Sequence, residues 1–337
     1  MFSAFRTVSC SILLFASTFP LPVALAQTAM NDIHIVPHAQ GLEVAAAGFA
    51  ASPAGLTAGS LIHTSVDLVM VPVTITDNLN RPVIGLDQRN FQLFENKKAQ
   101  EIKHFSTEDA PLSVGIIMDT SGSMAEKIDR AREAVTQFCE AANPQDEFFL
   151  ITFADTPRLA TDFTNHTEDL ESDLLTARAK GRTALLDAIY MGLQKMRQAR
   201  YARRALLILS DGGDNHSRYS ERDVKAAVRE SDVMIYGVGT YDSYFSTQEE
   251  RLGPELLSSI SDVTGGQTFT LNNVNDLPVV TRTIGAQLRH QYLLAYEPPA
   301  QVHDGKWHKV SVKLRLPRKL QYLLHVEARS GYYARAE

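Results

Sequence analysis

Four uninterrupted apolar runs, at residues 114–118, 148–153, 205–209 and 233–238, constrain this chain more than any other feature. A strand with one wet face alternates apolar and polar residues. A strand that is apolar throughout is covered on both faces, as in a parallel sheet. Between the runs lie amphipathic stretches of helical length, at 124–142, 183–200, 221–230 and 254–263. Strands alternating with helices imply right-handed crossovers, and hence a doubly wound, mostly parallel α/β layer structure over roughly 112–287.

The flanks have a different texture. Val69, Val71, Val73 and Ile75 occupy alternate positions, the pattern of a half-buried antiparallel strand. Residues 77–82 are turn chemistry, and 91–94 with 101–105 flank a polar turn at 95–98, which reads as a hairpin. Beyond 291 the alternation returns: Val310, Val312, Leu314 and Leu316 point one way, Ser311, Lys313 and Arg315 the other. Neither flank is large enough to bury a core alone. The expected fold is therefore α/β, with a small antiparallel β-sandwich made by 61–110 pairing with 291–337 and the domain at 111–290 inserted in it. The 337 residues suit two such bodies, at roughly 150 per domain.

The N-terminus reads as an export signal. Arg6 precedes an apolar run over 8–19, broken by Pro20 and Pro22, and Ala24-Leu25-Ala26 offers small residues for cleavage after Ala26. Residues 27–60, rich in Ala and Gly and without Lys or Arg, read as a flexible leader, with a short helix possible over 42–51. The expected location is periplasmic or extracellular, with no stable membrane span once the signal is cut. Cys10 leaves with the signal, so the mature chain keeps only Cys139, on an apolar helix face beside Val135 and Phe138. That excludes a disulfide scaffold and a structural zinc cluster. Net charge is −6, and no region reads as strongly basic, which argues against a sequence-independent grip on nucleic-acid phosphates.

The chemistry gathers at the ends of the apolar runs. Residues 114–124 read Val-Gly-Ile-Ile-Met-Asp-Thr-Ser-Gly-Ser-Met: a buried strand ends in Asp119, and a short loop supplies Ser121 and Ser123 before a helix begins. Thr183 follows a Gly-Arg loop, and the run at 205–209 ends in Ser210-Asp211. Ligand sites in open α/β sheets form at the carboxyl ends of strands, so neighbouring strands would bring both carboxylates to one rim. Carboxylates with hydroxyls are hard oxygen donors, suited to Mg²⁺ or Mn²⁺. Taken singly, Ser121, Ser123 and Thr183 are also ordinary helix caps, and Asp211 ordinary turn chemistry.

Taken together, Asp119-x-Ser121-x-Ser123, the later Thr183 and the later Asp211 resemble the metal-ion-dependent adhesion site of von Willebrand factor type A domains, in order, spacing and strand context. The flanks also resemble those of bacterial secreted proteins of this family. The resemblance implies that Ser121 and Ser123 bind the ion through their hydroxyls, that Thr183 binds directly or through water, and that Asp119 and Asp211 act directly or through bridging waters. It implies an open position that accepts an acidic side chain, so the expected partner is a protein presenting Asp or Glu, the chain alone being monomeric. A shift of the last helix, over 275–289, on ligand binding is implied by the family alone.

Other features read more plainly. Asp214 and Glu126 read as solvated charges, the alternative being auxiliary carboxylates of the site; Asp155 and Asp242 follow strands on the same rim, either shaping the ligand surface or serving as loop residues. Arg200, Arg203 and Arg204 read as cations at a helix end. No His-Glu-x-x-His, no Gly-x-Ser-x-Gly and no phosphate loop occurs. Residues 264–267 read as a helix stop, and Asn165 and Asn215 begin glycosylation sequons by pattern. The function expected is an exported, non-enzymatic, metal-dependent binding module. The alternatives are a structural envelope protein with a stabilising metal, or a metal-dependent hydrolase, for which no general base is placed by spacing.

Overall fold

The computed structural model describes residues 68–211, 213–240, 248–299 and 304–334. The signal, leader and possible 42–51 helix of the sequence reading, together with Asp242, lie outside the described residues. The first stretch holds β1 (Val69–Asp77), β2 (Phe91–Glu95), β3 (Lys98–Gln100), β4 (His104–Ser106) and β5 (Leu112–Asp119). Then follow α1 (Ile128–Glu140), β6 (Glu147–Phe153), β7 (Pro157–Thr164), α2 (Thr167–Thr176), α3 (Leu185–Met196) and β8 (Arg203–Ser210). Next come α4 (Glu221–Glu230), β9 (Met234–Thr240), α5 (Gln248–Ser261), β10 (Thr268–Leu271) and α6 (Leu277–Arg289). The chain closes on β11 (Tyr292–Tyr296), β12 (Trp307–Leu314), α7 (Arg318–Gln321), β13 (Leu324–Ala328) and β14 (Gly331–Tyr333).

The apolar runs form the centre of a six-stranded sheet, ordered β10-β9-β8-β5-β6-β7, parallel except for β7 at its edge. Every residue of β5 and β9 is buried. Val114, Ile116 and Met118 pack with Val135 and Phe138 of α1, Leu170 of α2 and Ile284 of α6. On the opposite face Ile117 and Ile151 pack with Ile189 of α3, Val224 of α4 and Leu257 of α5. This is the doubly wound α/β fold expected from the runs. The chain leaves β5 toward β6 and leaves β8 toward β9, so a crevice opens at the carboxyl ends of β5 and β8.

The flanks build two antiparallel four-stranded sheets, β13-β1-β11-β4 and β14-β12-β2-β3, over a shared core that includes Val71, Val73, Ile75, Phe91, Leu93, Tyr292, Leu294 and Val310. Two local expectations are corrected. The hairpin partner of β2 is β3, not 101–105; β4 instead joins β11 in the other sheet, with Phe105 opposite Leu294. The polar face of β1 is not exposed: Thr74 and Thr76 are buried, and Thr74 accepts a hydrogen bond from Gln291 Nε2 at 3.1 Å.

Arg203 and Arg204 are not at a helix end either, since α3 stops at Met196 and both residues open β8. The Arg203 guanidinium donates to the carbonyls of Ala110 and Leu288. It thereby caps the last turn of α6, where carbonyls otherwise lack donors. Cys139 is buried on α1, and burial pushes its thiol up to about 12.

Candidate metal centre

The loop after β5 is fixed before any ligand is considered. Thr120 donates both its backbone N–H and its hydroxyl to the Phe153 carbonyl at the end of β6. Met124 closes a single 3-10 turn, Gly122–Met124, and is buried in the core beneath. The serines between these anchors have little freedom. The regular helix α1 begins only at Ile128, four residues after the sequence reading.

Asp119 is fully buried. Its Oδ1 accepts from the Ser121 N–H at 2.8 Å, and its Oδ2 from the Ser210 hydroxyl at 2.6 Å. Ser210 is the residue before Asp211, so the neighbouring strand ends are coupled through this bond. Ser123 Oγ donates to Asp211 Oδ1 at 2.8 Å, and Ser121 Oγ lies 3.1 Å from Ser123 Oγ. With the Ser123 proton committed to Asp211, the Ser121 hydroxyl is the donor of that pair. Burial, then the nearby Asp211 charge, pushes the Asp119 carboxyl up to about 7.

Thr183 arrives on a separate loop that is held between its neighbours. Gly122 N–H donates to the Gly181 carbonyl at 3.0 Å, Lys180 N–H to Thr120 at 2.8 Å, and Ala184 N–H to Ala154 at 2.9 Å. Gly181 has φ +95°, a conformation that favours glycine, and a Cβ there would lie 2.6 Å from Oδ2 of the exposed Asp155 side chain, which would have to move aside. Thr183 itself is buried; its N–H donates to Asn215 Oδ1 at 2.9 Å, and its carbonyl accepts from the N–H groups of Asn215 and His216. The structure thus joins Asp119, Ser121, Ser123 and Asp211 in one hydrogen-bonded set. It places the Thr183 loop beside them through Gly181.

Several participants escape a reading by sequence. Lys127 Nζ lies 2.8 Å from Asp211 Oδ2 and 3.4 Å from the Thr240 carbonyl. A lysine at the N-cap of α1 opposes the helix dipole, and that misfit was the available signal. Asp214 is not a solvated charge: it accepts from the Leu186 N–H at 2.9 Å and from Ser217, capping α3. Asp155 is an exposed loop anchor whose carboxyl is held below the usual range by the Arg182 backbone N–H and guanidinium. Glu126 is exposed.

The donor set fits a hard divalent cation. It consists of oxygens only, and two carboxylates lie close enough to raise the proton affinity of one.

Residues 114–213 match the model of the von Willebrand factor type A domain family. Over 157 residues the chain is 26% identical to inter-alpha-trypsin inhibitor heavy chain H4 of Bos taurus, a match covering 41% of this chain and 17% of that protein. The chain thus spans a minor part of that relative's length. Among solved structures it is similar to a von Willebrand factor type A protein from Catenulispora acidiphila, at 13% identity and a TM-score of 0.46, covering 80% of this chain and 74% of the other. It is also similar to proximal thread matrix protein 1 of the mussel byssus with a zinc-occupied MIDAS motif, at 16% identity and a TM-score of 0.45, covering 58% and 49%.

Proposed function

We propose that the von Willebrand factor type A domain carried by this chain is a metal-dependent protein-binding module, taking up Mg²⁺ or Mn²⁺ on the rim above β5 and β8 and, through it, an Asp or Glu side chain of a partner. One observation supports this reading above the rest: Ser123 Oγ and Asp211 Oδ1, from distant parts of the chain, meet at 2.8 Å beside the buried Asp119 carboxylate. In this reading Ser121 and Ser123 turn their hydroxyl oxygens to the ion, while Asp119, Asp211 and Thr183 act directly or through water. When bound, the ion supplies an electrophilic position for a carboxylate. Hydroxyls among the ligands matter because a site made wholly of carboxylates would neutralise the ion and repel an acidic guest. The reading is of binding rather than catalysis, since the spacing of the sequence places no general base beside these residues. Export follows from the N-terminal pattern and is part of the proposal, as are the boundaries 61–110, 111–290 and 291–337.

Calorimetric titration of the purified chain with Mg²⁺ and Mn²⁺ tests the reading. Single-site uptake that Asp119→Ala abolishes, with the fold retained by circular dichroism, is the expected result. Wild-type affinity in that variant would overturn it. Partner capture with and without chelator then tests the second half: capture that survives chelation would favour the structural alternative, in which the metal only stabilises the fold.

A further inference from the structure

The net charge of −6 conceals a local reversal. Residues 305–326 contain Lys306, Lys309, Lys313, Arg315, Arg318 and Lys319 and no Asp or Glu, so the rest of the chain is twice as negative as the whole. The fold sorts part of this charge to one side. Along β12, His308 and Val310 are buried in the sandwich, whereas Lys309 and Lys313 are exposed, as is Arg315 just beyond the strand. Lys313 Nζ stands 5.3 Å from the Phe94 ring centroid on the neighbouring β2. Among the described residues none of Lys309, Lys313, Arg315 and Lys319 has a carboxylate partner.

The same strand leads into an apolar corner. Gln321 Nε2 donates to the carbonyls of Leu314 and Leu316, which folds the segment back on itself around α7. That geometry leaves Leu320, Tyr322 and Leu323 exposed by 49%, 82% and 51%. Leu79, exposed by 69%, lies in the turn after β1, next to Asn78, whose Oδ1 pairs with His325 Nε2 of β13 at 3.2 Å. Two carboxylates of neighbouring turns are already engaged, Asp77 by Arg81 at 2.6 Å and Asp87, near Asn90 whose carbonyl accepts from the Arg315 N–H, by Arg89 at 2.8 Å.

We propose that this corner, Leu320, Tyr322 and Leu323 with the cations Lys313, Arg315 and Lys319, is a peripheral docking surface for an anionic lipid membrane. Charge complementarity selects an anionic partner, and the protruding aliphatic and phenolic groups select lipid over an acidic polypeptide. An acidic chain would satisfy the cations and leave the leucines in water. A lipid surface satisfies both, with headgroup phosphates at the cations, Tyr322 at headgroup level and the leucines at the acyl boundary. Among the described residues no helix is long and apolar enough to cross a membrane. The corner belongs to the sandwich and does not rest on the metal reading.

Flotation with phosphatidylcholine vesicles, with and without phosphatidylglycerol, tests this in the presence of EDTA, which removes any contribution of divalent ions. The purified chain should float with the anionic vesicles, be released by high salt and ignore the neutral ones. Lys313→Gln with Lys319→Gln should weaken partitioning about 25-fold, at about fivefold per cation. Tyr322→Ser with Leu323→Ser should weaken it with an unchanged melting temperature. Because parent and variants share one N-terminus, differences between them report on the corner alone. Equal flotation of parent and both variants, equal affinity for neutral vesicles, or retention on polyglutamate resin without flotation would overturn the proposal, the last reassigning the corner to an acidic protein.

Discussion

Lys127 and Asp211, 84 positions apart in sequence, meet in a 2.8 Å ion pair in which Asp211 is nearly inaccessible and Lys127 keeps one edge toward solvent. The pair gives the rim a tethered positive charge that offsets the repulsion between Asp119 and Asp211. Removing the ammonium while keeping the apolar stem isolates this effect. Lys127→Met should lower stability in EDTA by about 1.5–3 kcal/mol, the range for a hydrogen bond to a charged group. Added Mg²⁺ should then recover more of the loss than it adds to the parent. Thermal melts of both proteins in EDTA and in Mg²⁺ check this, and identical melting temperatures in EDTA would show that the pair contributes nothing.

Asp119 carries a pH signature of known sign. Its carboxyl is raised from 3.8 to about 7 by burial and then by Asp211. Between these values the folded chain holds a proton that the unfolded chain has released. The Asp119 contribution to stability in EDTA should therefore be greatest below about pH 4, fall by up to about 1.4 kcal/mol per pH unit toward pH 7, and level off above it. Asp119→Asn should flatten that limb. Denaturant midpoints collected across the range decide the matter, and a limb of unchanged slope in the variant would assign it to another group.

Cys139 gives a prediction independent of the rim. With its thiol buried and pushed up to about 12, it has almost no thiolate near neutral pH. Cys139 in the native chain, with Cys10 replaced by serine, should stay unmodified by a disulfide exchange reagent and react fully once unfolded in guanidinium. Rapid native labelling would mean that α1 opens locally from the sheet.

Gly181 ties backbone strain to the assembly of the centre. Gly181→Ala must adopt φ +95° and place a methyl group 2.6 Å from Asp155 Oδ2. A cost of about 1–3 kcal/mol is expected for the conformation. Because Gly181 also accepts from Gly122 N–H, the variant should lose divalent-ion affinity along with stability. Calorimetry and melting together test this; lost stability with intact ion affinity would separate the Thr183 loop from the serine loop.

How much of this was legible in the sequence depends on the range of each interaction. The strands β5, β6, β8 and β9 announce themselves because both of their faces are covered, leaving no polar position to blur the run. The edge strand β7, Pro-Arg-Leu-Ala-Thr-Asp-Phe-Thr, is largely polar and passes as loop. Strand β4 is misread as the hairpin partner of β2 because its true partner, β11, lies across the inserted domain. The five oxygen-bearing residues of the centre stand out by motif, yet Ser210 and Asn215 enter through contacts that no local pattern encodes, and Lys127 shows only as a cation misplaced at a helix start. The cationic corner was missed for another reason: averaging charge over the chain cancels it.

Arg203 links the two bodies at the place where α6 passes into β11. Its half-buried guanidinium donates to the carbonyls of Ala110, just before β5, and Leu288, near the end of α6, and stands 3.4 Å from Gln291 Oε1. Burial holds its pKa below the usual arginine value, yet the group stays charged, so its donors cannot be withdrawn without leaving carbonyls unpaired. Gln291 in turn reaches Thr74 of β1 and Met234 of β9, so one cluster touches both sheets of the fold that flank the junction. Arg203→Met keeps the apolar stem and removes every donor; a loss of about 1–3 kcal/mol is expected from the orphaned Leu288 carbonyl, the exposed Ala110 carbonyl being open to water. Hydrogen exchange should accelerate together at 110–112 and 288–292 while the centre of β5 stays protected. Acceleration at only one of the two segments would show that Arg203 fills space there without coupling α6 to the sandwich.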